Sequence, residues 1–436
     1  MPNATFLHGI KLAIESSRGD SPASTAWWEG GKFHDIITDG LPDLKGRQAI
    51  IFPAGHAGKR SINQQSPTPG RRWSDGSFSA NVTADFIGLL LYGALGTASS
   101  DSTPSTASAC LYQEPLEASK KFVLSNQPSD GGAILEFAIA GTTASNGTIV
   151  INGIDCYGNG ASETINYFGN GSVYSRISWS AIGSSSLSMT NSAGDGTVSI
   201  FGYKYFTHTF SVNESTNPTF TMERIGDPQA GAASKSFLHD GMVLTELTIS
   251  TPAATEDGIM MVDGAFEGNF PAVQTATTIN DASPMRIWPA WTLSITKNNS
   301  SYCLVTNQTL TINTGARNYE AACGTQNPQG SFFGGREMTG SHDILITNEE
   351  EYNDWLGSSR INTVLHWDTP WKLTSSVNMS LTASLTNMYV DGDPSLSDDD
   401  GAFSLSQDFR MTADTSNDIV KFALVNGVPG VAYSTS

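Results

Sequence analysis

The sequence predicts a mainly β protein. It reads as two tandem β-sandwich or barrel domains, each with one flanking helix, and a smaller Ig-like β-sandwich inserted into the first. Three observations carry that expectation. The 436-residue chain has 43 Gly and 19 Pro but only 15% charged residues, a mixture that suits short strands and many turns rather than disorder. Apolar residues recur with period two, the spacing of half-buried antiparallel strands. One pattern also occurs twice, as Arg, three residues, Gly-Ser, five residues, Thr, nine residues, Gly. Its copies are Arg72, Gly76, Ser77, Thr83, Gly93 and Arg336, Gly340, Ser341, Thr347, Gly357, at a constant offset of 264 residues. A chain this long exceeds one ordinary domain, so duplication is the simplest reading.

Each copy opens on a strand. Phe78, Ala80 and Val82 alternate with Ser79, Asn81 and Thr83, and His342, Ile344 and Ile346 alternate with Asp343, Leu345 and Thr347. A short helix is expected next. Thr83 and Thr347 sit where an N-cap belongs, and Asp85 and Glu349 to Glu351 fall in the first turn, where the helix dipole favours carboxylates. Leu89 and Tyr92, like Tyr352 with Trp355 and Leu356, have the spacing of one packed face. Gly93 and Gly357 are the expected stops. Residues 242–251 and 377–387 then read as equivalent strands. They lead to the acidic turns Asp257-Gly258 and Asp400-Gly401, and from there to strands at 259–268 and 402–411.

The copies diverge after the helix. From Gly357 the next strand is expected near residue 362, whereas from Gly93 it is deferred to about Tyr203. Between lie a Ser/Thr/Asp-rich linker (97–108) and short strand-like runs at 133–140, 148–154, 163–167, 173–179, 186–189 and 197–201. That spacing suggests a small sandwich placed in an exposed loop. The expected division is therefore 1–113 with 203–285, an insert at 114–202, and 286–436.

Catalytic signatures are missing. Pro53–Ser61 imitates a phosphate loop through Gly58-Lys59, but Pro53 and Arg60 occupy the wrong positions. No Gly-x-Ser-x-Gly or His-Glu-x-x-His occurs, and a lone His such as His208 reads as structural. Cys110, Cys156, Cys303 and Cys323 form no CxxC pair and no zinc spacing. No enzyme activity, cofactor or metal is expected. The net charge of −19 argues against a phosphate-gripping surface, which needs clustered Lys and Arg. Residues 1–113 are electrically neutral, so the acidity lies in the later segments. Met1 to Glu15 lacks the pattern of a secretory signal, and the apolar run 86–95 is too short to span a bilayer.

Two binding readings stay open at this level. Asp391, Asp393 and Asp398 to Asp400 are either a solvated hairpin tip or a calcium loop, though they lack EF-hand spacing. Trp27, Trp28, Trp288, Trp291, Trp367 and Trp371 are either loop anchors or a glycan-stacking platform, as in a tail-tip or fibre-type binding protein. A β-rich glycosidase is a further alternative, although paired carboxylates mean little in so acidic a chain.

Residues 207–225 (THTFSVNESTNPTFTMERI) resemble tail tube proteins of long-tailed phages, and residues 240–268 continue the resemblance. Residues 301–356 are similar again, with a strand ending in Asn313-Thr314-Gly315, then Gly335 to Ser341, then the helix with Trp355-Leu356. The likeness covers both repeats and leaves out the insert. It implies a non-enzymatic structural subunit of the siphovirus-like tail, in the duplicated-domain form. In that form three chains supply the six domains of a ring, although a hexamer is possible. Rings would stack into a tube in the virion tail, assembled in the host cytoplasm. The insert would decorate the outside, and tape measure, tail tip and terminator proteins would be partners. Double-stranded DNA would pass through without binding, and no membrane insertion is implied.

The polar strand faces suit such a lumen. The candidate lumen-facing residues are Ser79, Asn81, Thr83, Glu246, Thr248, Asp263 and Glu267 in the first repeat. In the second they are Asn307, Thr309, Thr311, Asp343, Asn378, Ser380, Thr382, Ser404, Ser406 and Asp408. Hydroxyls and carboxylates there would repel phosphates and offer no stacking platform. An ordinary solvent-exposed sheet face is the alternative. The arm 19–44, with Trp27, Trp28 and Phe33, has the length to reach a neighbouring ring.

Overall fold

In the computed structural model the described residues are 9–15, 18, 33–39, 42–51, 68–84, 86–104, 110–115, 119–128, 132–141, 146–191, 196–213, 215, 218–225, 235–253, 258–275, 286–320, 324–345, 349–399, 402–413, 418–429 and 433. The chain is mainly β, with antiparallel pairing throughout. The elements that position the rest are, in chain order, β1 (Lys45–Ile51), β2 (Thr68–Asn81), α1 (Ile87–Leu95), β3 (Gly96–Pro104), β4 (Thr197–Val212) and β5 (Phe220–Ile225). They continue with β6 (Lys235–Thr251), β7 (Met261–Gly268), β8 (Val305–Asn313), β9 (Glu337–Leu345), α2 (Glu350–Leu356) and β10 (Ile361–Lys372). The last are β11 (Asn378–Asp399), β12 (Ala402–Met411) and β13 (Lys421–Asn426).

The duplication is visible in the pairing. One sheet runs β1–β2–β7–β6, passes directly to β8, and continues β8–β9–β12–β11. The second half thus repeats the first, strand for strand. The long strands β6 and β11 each serve two sheets. Their first halves pair with β5 and Ala272–Thr275 in one repeat, and with β10 and β13 in the other. Between the layers lies one continuous apolar core. It takes Phe78, Val82, Leu247 and Phe266 from one repeat and Leu310, Met338, Leu381 and Phe409 from the other.

The glycine of each Gly-Ser pair is set by close strand approach. A Cβ on Gly340 would lie 2.3 Å from the Thr309 carbonyl and 2.4 Å from the Phe409 ring. One on Gly76, whose φ is 149°, would strike the Asp43 carbonyl. The repeated motif therefore marks where a neighbouring backbone comes too near for any side chain.

Several expectations are corrected. Thr83 is not an N-cap. The cap position of α1 is Phe86 with no side-chain bond, and Thr83 contributes only its carbonyl, which accepts from the Ile87 N–H. The cap position of α2 is Glu349, and Thr347 lies outside the described residues, as do Asp85, Asp257 and Asp400. The stop of α1 is Gly96 in the left-handed conformation, φ 86°. Gly93 is inside the helix, where its missing side chain admits the Phe220 ring. Gly357 does close α2, its N–H donating to Asn353. The linker expected at 97–108 is largely strand β3, which pairs with β4 across its whole length. The equivalent of residues 242–251 is the far half of β11 rather than 377–387. The Gly392-Asp393-Pro394 break is absorbed as an irregularity between Asp391 and Ser395, and pairing resumes to Asp399.

Strands between residues 110 and 200 enclose a second core of Phe137, Ile151, Trp179, Leu187, Val198 and their neighbours. A four-strand sheet covers one side of it, ordered Gly160–Phe168, Asn146–Asp155, Trp179–Asn191, Ser119–Phe122. This unit is tied to the turn after β10. The Ser178 hydroxyl donates to the Leu373 carbonyl (2.6 Å), and the Lys372 N–H donates to the Tyr157 hydroxyl (2.8 Å).

Three buried titratable groups respond to pH with opposite signs. His208 and His239 are buried neutral, and burial lowers each to about 4. Nε2 of His208 faces only the acceptors Asn426 Oδ1 and Val428 O, both at 2.9 Å, so it carries the proton, while Nδ1 accepts from Ser100. Glu163 is pushed up to about 7 by burial, against which the Arg176 and Ile177 N–H groups work.

This packing makes two outcomes testable. Gly340→Ala is expected to lose about 1–3 kcal/mol in denaturant unfolding, whereas Gly335→Ala, facing open space, stays within about 0.5 kcal/mol of wild type. For pH, an unfolded His binds protons more readily than these two. The main core should therefore lose stability as pH falls from 6.5 towards 4. Glu163 has the reverse sign, its penalty growing as pH rises from 4.5 through 7. Hydrogen-exchange protection factors, corrected for the intrinsic pH dependence of amide exchange, should thus rise in Gly160–Phe168 on acidification while those of β4 fall, and Glu163→Gln should abolish only the first effect.

Candidate functional site: a polar sheet face between two open edges

The face of the shared sheet turned away from the core is polar because each strand alternates. On β2, Ser79 and Asn81 point outward between buried Phe78, Ala80 and Val82. On β8, Asn307, Thr309 and Thr311 are half-buried, while Gln308, Leu310 and Ile312 face in. Strand register then aligns the outward residues. Ser79, Asp263, Thr248, Thr311, Thr339 and Arg410 stand directly opposite one another in one row. Asn81, Met261, Ser250, Thr309, Ser341 and Asp408 form the next. Cross-strand bonds knit the face, including Thr248 to Thr311 between hydroxyls (3.0 Å) and Asn307 Nδ2 to Asp343 Oδ2 (3.3 Å). Arg410 bridges Glu337 (3.3 Å) and Asp391 (3.1 Å).

Of the residues expected on this face, the structure brings together Ser79, Asn81, Glu246, Thr248, Asp263, Glu267, Asn307, Thr309, Thr311, Asp343, Ser404, Ser406 and Asp408. Four are elsewhere. Thr83 lies beyond the end of β2, is 8% exposed, and bridges to Ile287. Asn378, Ser380 and Thr382 lie in the first half of β11, whose partners are β10 and β13, so they belong to the other sheet. Thr382 is bonded there to His366 Nδ1 (2.8 Å). The strand changes sheets near Met388, and a uniform period-two reading cannot register such a change. Ser250, Thr339, Ser341 and Arg410 share the face and were missed. Extending the alternation back from Asp343 would have found Ser341 and Thr339.

Among the described residues the sheet has two edges without a partner strand: β1 pairs only with β2, and the far half of β11 pairs only with β12. Ile50 and Ile51, at the end of β1, are 59% and 55% exposed. Unpaired edges with exposed apolar side chains are a hazard in a monomer and a means of association in an assembly.

The described residues among these Trp do not form a platform. Trp288 and Trp367 are fully buried, Trp371 donates its indole N–H to Ile287 O (2.9 Å), and Trp291 alone of these is well exposed. Trp27 and Trp28 lie outside the described residues, as does most of the arm 19–44. Among the described residues no cluster of three or more His, Cys, Asp or Glu is placed to hold a metal. No described helix is long and apolar enough to cross a membrane. Cys156 and Cys303 are free thiols.

Among curated proteins no sequence matches this chain. A family model described as phage tail tube protein matches residues 8–413, spanning both repeats and the insert between them. With the β-rich fold and the duplicated, open-edged sheet, that match shows what the chain is: a member of the phage tail tube protein family.

Proposed function

We propose that this chain is the ring-forming subunit of its tail tube, with three copies to a ring, and that the polar sheet face lines the channel through which the genome leaves. The observation that carries the proposal is the joint between β6 and β8. There one repeat continues the sheet of the other without a break, while the two outer edges lack partners among the described residues. A sheet with two open edges is completed by closing on further copies, and cyclic closure leaves no edge exposed. Three copies would make a barrel of about twenty-four strands, well above the 16–18 strands that already leave a porin an aqueous channel.

In this reading the polar face looks inward. Its hydroxyls and carboxylates neither neutralise phosphates nor stack on bases, and its Arg410 is held by Glu337 and Asp391, so DNA slides rather than binds. Residues 114–202 form an outward decoration, and 1–113 with 203–285 and 286–436 are the two wedges. The tube would be built in the host cytoplasm around a tape measure protein and closed by tip and terminator proteins. No catalytic step is assigned to any residue.

Purified protein should form stacked rings of three chains under electron microscopy, with six-fold features from the repeats. A monodisperse monomer under all conditions, absent from virions, would refute the assignment. The lining has its own test. Assembled wild-type tubes should release DNA at physiological salt. The double variant Thr248→Lys/Thr311→Lys should retain it, with a retention that weakens steeply as salt rises. Equal release by both would place this face away from the channel.

A further inference from the structure

The two arginines that open the repeated motif are equivalent in sequence but differ in what they hold. Arg336 reaches across the joint between the repeats. Its Nε donates to the Ala94 carbonyl at the end of α1 (2.8 Å), and its Nη1 donates to the Asn213 carbonyl (2.5 Å). A guanidinium at a helix C-terminus satisfies terminal carbonyls and suits the dipole. Arg72 occupies the same position one repeat earlier. Its guanidinium lies 5.2 Å over the Phe270 ring, and its buried Nε has no hydrogen-bond partner among the described residues. Such a group is costly to leave unsatisfied. Among the described residues no helix carbonyl accepts from the Arg72 Nε, and α1 is already held by Arg336. The other helix is α2, where Ser358 is the counterpart of Ala94. Beside that end Tyr352 and Leu356 are 52% and 59% exposed.

The sheet edges give a matching register. Within the chain, Thr248 faces Thr311 and Glu246 faces Asn313. Carried through the repeat, Thr248 corresponds to Ser395 and Glu246 to Asp391, because each opposes the equivalent residue of β7 or β12. By the same argument Thr311 corresponds to Lys45 and Asn313 to Arg47. The copied joint therefore sets Lys45 against Ser395 and Arg47 against Asp391. One edge offers cations and the other an aspartate strand.

We propose that Arg72 is a latch between subunits: it reaches into the C-terminal end of α2 of the adjacent copy, as Arg336 does to α1 within the chain, while β1 pairs with the far half of the neighbour's β11 in that copied register. This rests on the ring assignment and adds to it a contact, a direction and a register. In the free chain Lys45 pairs with Asp43, Arg47 with Asp75, and Asp391 with Arg410. Assembly exchanges the exposed partners of Arg47 and Asp391 for each other across the joint, and sets Lys45 beside the Ser395 hydroxyl.

The test uses the full chain in three forms. Arg72→Ala should fold with the wild-type melting temperature, yet assemble only at a concentration about ten- to a hundredfold higher. Arg336→Ala should lower the melting temperature of the unassembled chain, since its bonds are internal. Lys45→Cys combined with Ser395→Cys should give disulfide-linked oligomers on oxidation of assembled rings, and neither single variant should. Wild-type rings with Arg72→Ala assembling normally, or with no cross-link between positions 45 and 395, overturn the latch alone. Wild-type protein that never forms rings overturns the latch and the ring assignment together.

Discussion

The antiparallel pairing of β6 with β8 is the constraint on which the rest depends. It turns two sandwiches into one sheet with a single core behind it and a single polar face in front. The joint is carried mostly by backbone hydrogen bonds. Its outward side chains are therefore free to be small hydroxyls, such as Thr248 and Thr311, without loss of cohesion. Its inward side chains, Leu247 and Ile249 against Ile312 and Leu310, are fully apolar. A shift of one residue would turn every one of these outward, so the register is strongly specified.

Asymmetry between the repeats is as informative as their likeness. Helix α1 is apolar on all sides and buried, whereas α2 is polar and leaves Tyr352 and Leu356 exposed. The difference comes from what surrounds each helix. The first repeat supplies β3 and β4, and β4 also pairs with β13 of the second repeat. The second repeat has no such ribbon among the described residues. The insert grows from the far end of that ribbon and is anchored to the turn after β10, so it contacts both halves.

Much of the fold was legible in the sequence because alternation is a local signal. Ser79 and Asn81 beside Phe78 and Val82 placed β2 and its faces correctly, and the Gly-Ser spacing fixed the repeat. What failed depended on distant partners. Strand β3 is polar and read as linker, since its pairing with β4 lies about a hundred residues away in the chain. The first half of β11 alternates as well as the second, and nothing local says that the two halves lie in different sheets. Strand β1 is largely exposed and has no apolar period to announce it. Arg72 and Arg336 were recognised as a pair, but the role of Arg336 lies in bonds to residues more than a hundred positions earlier.

Tyr433 packs its ring against Gly88 of α1, at a distance no side chain at that glycine could share, and edge-on against His208 and Phe210. Helix α1 is thus covered by a residue more than three hundred positions further along the chain. At about 5–20 residues per second, roughly 20–70 s of synthesis separate the two. Throughout that interval the N-terminal half carries an incomplete core. Completion of this core therefore waits on translation of a segment more than three hundred residues further along the chain.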